Sequence, residues 1–221
     1  MAPRTRARRS ALKRSTLRPE SEQWALPVQQ ERSLATRERI VAAAEWAFAE
    51  KGYEGARIAD IAARAGCSVG AVYFRFADKD ALFLAIVEDF RASVRERLPL
   101  LAAMPFATTD EFLERFVTAL IARFRDHRGL TRAIVEHGFA NSQAMDMMIE
   151  LRGEMQAILQ TTLEKFVSAD LSFPVRMITQ LVYGFLLTGL INERAPTRLD
   201  DARTARELVA VLSAYLKGIA P

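Results

Sequence analysis

The segment IADIAARAGCSVGAVYFRF, residues 58–76, limits the fold more than any other part of this 221-residue chain. Ile58, Ile61, Ala62 and Ala65 recur at helical spacing and give one short helix an apolar face. Gly66 accepts the left-handed backbone that a sharp helix-to-helix turn needs, and Ser68 is placed to cap a second helix from Val69 to about Phe76. Two helices crossing near a right angle through so short a turn leave little room at their contact, which the small side chain of Ala62 suits. The pattern reads as a helix-turn-helix, whose second helix enters the major groove of DNA.

The remainder asks for more helix and no β-sheet. Glycine and proline are few and fall between periodic apolar segments. Helix one is expected after Thr36, a candidate N-cap, and Gly52 should end it. A polar connector precedes it at residues 19–33, in which Trp24, Leu26 and Val28 could pack. Asp78 can cap a fourth helix carrying Leu82, Phe83, Ile86, Val87 and Phe90 to about Pro99 and connecting two domains. Longer helices are expected near 110–126, 129–139, 141–167, 175–192 and 201–218. The fold class is therefore all-α, divided as an arm and connector over 1–33, a helix-turn-helix DNA-binding domain over 34–80, and a further helical domain over 81–221, to which the family resemblance given below assigns effector binding and dimerisation.

Charge is distributed unevenly. Arg4, Arg6, Arg8, Arg9, Lys13, Arg14 and Arg18 precede any acid, so the tail alone makes a chain of net formal charge +4 basic. Its composition suits a disordered arm that neutralises phosphates or lies in a minor groove, or else a solvated leader without a fixed role. Beyond Pro99 stand thirteen basic and fourteen acidic residues, a poor nucleic-acid surface. The longest apolar run, 177–192, holds Gln180, Thr188 and two glycines, short of the roughly 18 to 20 uncharged residues of a membrane span. A soluble, cytoplasmic protein is expected, with no membrane partner. The one cysteine, Cys67, excludes an intramolecular disulfide and a multi-cysteine zinc site, and reads as core packing or as a redox sensor. His127 and His137 lack metal-ligand spacing, so neither metal nor cofactor is expected.

Helix one ending in FAEKGYEG, the DIAARAG segment, S-x-G-x-x-Y-x-x-F and a lysine opening helix four together resemble the TetR family of bacterial transcription regulators. The resemblance implies a homodimer whose recognition helices meet successive major grooves of a palindromic operator, and a C-terminal domain whose small-molecule effector releases DNA. By position, Ser68, Val69, Gly70, Ala71, Tyr73 and Phe74 lie on or near the DNA-facing surface, with Lys79 on a phosphate. Arg75 stands where such proteins commonly have histidine or tyrosine. Ala56 and Arg57 replace hydroxyl residues, losing a cap, and Arg57 can take over a phosphate contact. Val69, Ala71, Val72 and Phe74 favour thymine methyls and shape over purine edges. Phe76 reads as core, and Tyr73 and Phe74 as more exposed.

Candidate effector-pocket residues are Phe116, Phe124, His137, Met145, Met148, Met155, Met177 and Tyr183, an apolar set that favours a hydrophobic or aromatic ligand. Each also suits ordinary core packing. The last two helices carry apolar stripes that either close the monomer or pair two copies: Leu181, Gly184, Thr188 and Ile191 on one, Leu208, Val211, Leu212 and Tyr215 on the other. In the family these helices form a four-helix interface. The leading expectation is a ligand-responsive repressor. An enzyme is disfavoured because no nucleophile-base pair, phosphate loop or metal spacing is present. A helical interaction protein whose helix-turn-helix no longer reads DNA is the alternative.

Overall fold

The computed structural model describes residues 25–138, 140–191 and 196–219, with side chains from residue 31 onward and not at 190 and 191. The basic arm, through residue 24, lies outside the described residues. Every regular element among the described residues is helical.

Helix α1 (Ala25–Gly55) begins well before its expected start. Thr36 is not its N-cap: the hydroxyl donates to the Arg32 carbonyl at 2.8 Å, inside the helix. Residues 31–35 are all exposed, and a helix that projects into solvent carries no apolar stripe for periodicity to detect. At the other end Gly52 takes φ 70, ψ 172 and breaks the helix before one last turn.

The helix-turn-helix follows as α2 (Ile58–Ala65) and α3 (Val69–Tyr73), then α4 (Lys79–Ala103), capped by Asp78. Helix α4 carries Pro99 within it and continues one turn beyond the expected end. Next come α5 (Thr109–Asp126) and α6 (Arg128–Ala133), which runs into a π-helical turn (Ile134–Gly138), then α7 (Ser142–Leu163), α8 (Ser172–Ile191) and α9 (Ala202–Lys217). Thr108, Asn141 and Asp201 cap α5, α7 and α9 by accepting backbone N–H bonds at 3.1, 3.0 and 2.8 Å.

Two apolar cores result. The first joins Ile40, Phe48, Ile61, Val72, Phe83 and Ile86 of α1 to α4 with Leu130 and Ala133 of α6 and Ala144 of α7. The second joins Phe112, Leu113 and Val117 of α5 to Leu159, Ile178, Val182, Leu186 and Leu212 of α7 to α9. Helix α4 serves both, because Leu98 and Leu101 pack on the second core while its first turns fill the first. A division at residue 80 thus cuts the chain but not the packing. Helices α1 and α6 cross so closely that a Cβ on Gly129 would overlap the Glu45 carbonyl oxygen. Ion pairs Arg37–Asp89 (2.8 Å), Arg91–Glu150 (2.8 Å) and Arg95–Glu154 (2.6 Å) fix α4 against α1 and α7.

Candidate nucleic-acid interface

The turn has the geometry its sequence predicts. Gly66 sits at φ 64, ψ 40, and the Cys67 N–H returns to the Ala62 carbonyl at 3.0 Å. Ala62 is buried at the helix crossing, and Cys67 is half-buried against the first core. The Ser68 hydroxyl oxygen accepts from Ala71 N–H at 3.1 Å. Helix α3 ends at Tyr73, earlier than expected, with Phe74 and Arg75 continuing as a turn.

These few residues separate two faces. Val72 and Phe76 point into the core, while Val69, Gly70, Tyr73 and Phe74 face outward. Tyr73 is 52 % and Phe74 85 % exposed, and clustered aromatic exposure of this kind marks a contact surface. Ala71 is half-buried. Gly70 carries nothing nearer than the Ser68 hydroxyl, so another backbone can approach closely there.

The three cations around α3 differ. Arg57 is exposed at the N-cap of α2 and makes no side-chain cap bond, as the loss of a hydroxyl implies. Arg75 is partly buried: it donates to the Ala71 carbonyl at 3.0 Å and reaches the Ser33 hydroxyl at 3.4 Å, tying α3 to the projecting start of α1. Lys79 is half-buried and turns onto the chain's own backbone. Its ammonium donates to the Tyr53 carbonyl at 2.9 Å, with longer approaches to Glu54 and Ala56, and lies 4.3 Å from the Tyr53 ring centroid. The carbonyls at the end of α1 attract it, as a helix C-terminus attracts any cation.

His137 also departs from its expected place. It belongs to no pocket with the second-core aromatics; its ring stacks on Tyr53 and its Nε2 lies 3.0 Å from Asp80 Oδ1. The Tyr53 hydroxyl donates to the same carboxylate oxygen, and the Tyr53 N–H donates to Glu136 at 2.7 Å. Burial, and then the bond to Asp80, push the Tyr53 phenol well above its ordinary pKa. His127 makes a second cross-connection, Nδ1 to Glu45 of α1 at 2.9 Å. The sequence could not place these partners, which come from segments far apart along the chain.

Of the remaining pocket candidates, Phe116, Phe124 and Met155 are buried in the second core and Tyr183 packs on it. Met148 packs on the first core, because α7 presents its opening turns there, and Met145 is half-buried nearby in sequence. Met177 is 36 % exposed and lines the outside of α8. It continues with Leu181, Gly184 and Thr188 in an exposed stripe that also takes in Phe173, a residue the sequence reading missed. On α9, Val211 is exposed, whereas Leu212 is fully buried in its own subunit's core and Leu208 and Tyr215 pack against it. Leu212 is therefore not an interface residue: its side of α9 faces α5 and α8. The Ile191 side chain lies outside the described residues. A groove between α8 and α9, of about 780 Å³, is lined by Leu181, Phe185, Leu208 and Val211.

An all-helical protein with an exposed recognition helix on one core and a second helical core joined to it by α4 and α7 has the build of a DNA-binding regulator. A family profile described as bacterial regulatory proteins, tetR family, matches residues 40–86, and one described as tetracyclin repressor-like, C-terminal domain, matches residues 108–216. The chain is 25 % identical over 195 residues to an uncharacterized HTH-type transcriptional regulator, YdgC, of Bacillus subtilis, covering 82 % of this chain and 92 % of that one. It is 34 % identical over 89 residues to the HTH-type transcriptional repressor BepR of Brucella suis, covering 40 % of this chain and 43 % of that one. The crystal structure of a TetR-family transcriptional regulator from Mesorhizobium loti superimposes with a TM-score of 0.66 at 22 % identity, over 86 % of this chain and 99 % of the other. The chain belongs to the TetR family of bacterial transcriptional regulators. It is a DNA-binding regulator, in a family of non-enzymes. Among the described residues no helix is long and apolar enough to cross a membrane.

Proposed function

We propose that the chain is a ligand-released repressor that binds a palindromic operator as a homodimer. The observation that carries this reading is α4: one continuous helix begins beside the recognition helix and ends against the second core. A ligand that favours one arrangement of the second core therefore shifts α4, and with it the separation of the two recognition helices in a dimer. Operator binding and effector binding then oppose each other reciprocally.

The exposed stripe of α8 with Val211 of α9 is the dimer face, supported by its apolar character and by Gly184, where nothing within 4 Å would meet a Cβ and a partner helix can approach closely. Val69, Gly70, Tyr73 and Phe74 read the major groove through thymine methyls and shape; Ser68 and Ala71 support that surface, and Arg57 holds a phosphate. The repressor sense is supported by the relative BepR, itself named a repressor. The effector sits against Phe124, Met155 and Tyr183 in the second core and has a hydrophobic or aromatic body.

Footprinting on DNA flanking the chain's own gene tests this. The expected result is a protected palindrome whose half-site centres lie about 10 base pairs or a multiple apart. Protection of a single unrepeated half-site would contradict the dimeric reading.

A further inference from the structure

Arg152 of α7 is the anomaly of the second core. Glu150 and Glu154, two residues to either side of it in sequence, are taken by Arg91 and Arg95 of α4. Arg152 itself has no ion pair or hydrogen bond among the described residues, and its Nε is shut off from solvent without an acceptor. The guanidinium lies 5.3 Å from the centroid of the Tyr183 ring.

Tyr183 is in a similar position. Its hydroxyl finds only the sulfur of Met155, 3.9 Å away, which is a weak acceptor. Burial pushes the phenol's pKa up against the opposing pull of Arg152, so the group remains a neutral donor. The ring meets Phe124 edge to face, with centroids 5.6 Å apart. A guanidinium without an acceptor among the described residues and a phenol hydroxyl with only a sulfur thus stand together beside the buried Phe124 and Met155. A desolvated donor left unpaired costs free energy that a bound acceptor recovers, and a ligand lacking that acceptor is rejected.

We infer that the effector is an anionic amphiphile whose carboxylate is taken by the Arg152 guanidinium and the Tyr183 hydroxyl while its apolar body lies against Phe124 and Met155. The inference rests on the effector-binding reading above and narrows the ligand class from hydrophobic to hydrophobic and acidic. A planar guanidinium binds a carboxylate by donating two parallel hydrogen bonds, and the low dielectric of the surrounding rings strengthens both.

Isothermal titration of the full chain with decanoate, 1-decanol, 2-naphthoate and 2-naphthalenemethanol at pH 7.5 tests it. At least one acid is expected to bind about tenfold more tightly than its alcohol, with the preference abolished by Arg152→Met and reduced about threefold by Tyr183→Phe. Circular dichroism verifies folding, and Arg152→Lys, which keeps the charge but loses the fork, should retain part of the preference. Equal binding of acid and alcohol, a preference that survives Arg152→Met, or no binding by any probe overturns the inference. Release of operator DNA is read separately. Release by the alcohols alone, independent of Arg152, overturns the anion site while leaving the regulator reading intact. An acid that binds through Arg152 without releasing DNA supports the anion site and counts against ligand-controlled repression.

Discussion

The imidazole of His137 lies flat on the ring of Tyr53, with ring centroids 3.7 Å apart and planes 7° from parallel. Asp80 accepts from the Tyr53 hydroxyl and is bonded to His137 Nε2, so the end of α1, the start of α4 and the π-helical turn meet at one carboxylate. π-Helical turns are rare and recur at functional sites. Here the turn brings Glu136 and His137 together onto Gly52 and Tyr53, and the contact joins the DNA-binding core to the helix that leads into the second core.

His137→Ala removes that stack and a hydrogen bond. The expected loss is about 1–2 kcal/mol of unfolding free energy in urea, and His137→Phe should recover part of it by restoring the ring alone. A loss within a few tenths of a kcal/mol would show that the contact is incidental.

Alkaline pH should weaken the same junction. Because the folded-state pKa of Tyr53 is raised, the native state favours the neutral phenol. Its contribution is fully present below the ordinary phenol range near pH 10 and is lost as pH rises through the higher folded value. The urea midpoint should therefore fall above about pH 10, and Tyr53→Phe should flatten that fall. Tyr183, raised in the same direction, leaves a residual slope. An unchanged slope in Tyr53→Phe would contradict the assignment.

Gly129→Ala places a methyl group where the Glu45 carbonyl already stands. Backbone cannot yield as a flexible side chain would, so α1 and α6 must separate. The predicted destabilisation is about 3 kcal/mol, read as a lowered melting temperature. Near-neutral behaviour would mean that the two helices are not held at this separation.

Ser68→Ala removes the cap of a five-residue helix. The local cost is about 1 kcal/mol. Specific DNA affinity should drop about fivefold while the global urea midpoint barely moves, since α3 contributes only Val72 to the buried core. Parallel loss of both would place the cap in global rather than local stability.

Leu181→Glu combined with Val211→Glu puts charges on the exposed faces of α8 and α9, where the side chains are 47 % and 59 % exposed. Light scattering after gel filtration should show a folded monomer where the unaltered chain shows a dimer. A dimer that persists in the double variant would place the interface elsewhere.

The helix-turn-helix was readable because its signals are local: a glycine at a left-handed turn, a serine one residue before the next helix, and small apolar residues at the crossing. The projecting start of α1 was not, since exposed polar helix and polar connector share one composition. The π-helical turn was hidden because a five-residue change of register leaves the apolar pattern of 129–139 intact. The partners of Lys79 and His137 were hidden for a common reason. Tyr53 and Asp80 lie 26 and 57 residues away from them, and spacing alone carries no signal of such pairings. Leu212 and Val211 show the limit of a stripe: adjacent residues of one amphipathic helix face opposite ways, and only the packing of α5 and α8 tells which side is interior.

Sequence-specific recognition by α3 is tested most directly by fluorescence anisotropy of the purified chain, with and without residues 1–18, on DNA flanking its own gene and on a scrambled control, across several salt concentrations. The preference for the native DNA should survive removal of the arginine-rich segment, while affinity and salt dependence both decrease. Tyr73→Ala should abolish the preference. Equal affinity for both DNAs, lost with the first 18 residues, would contradict sequence-specific recognition by α3 and assign the binding to the arginines alone.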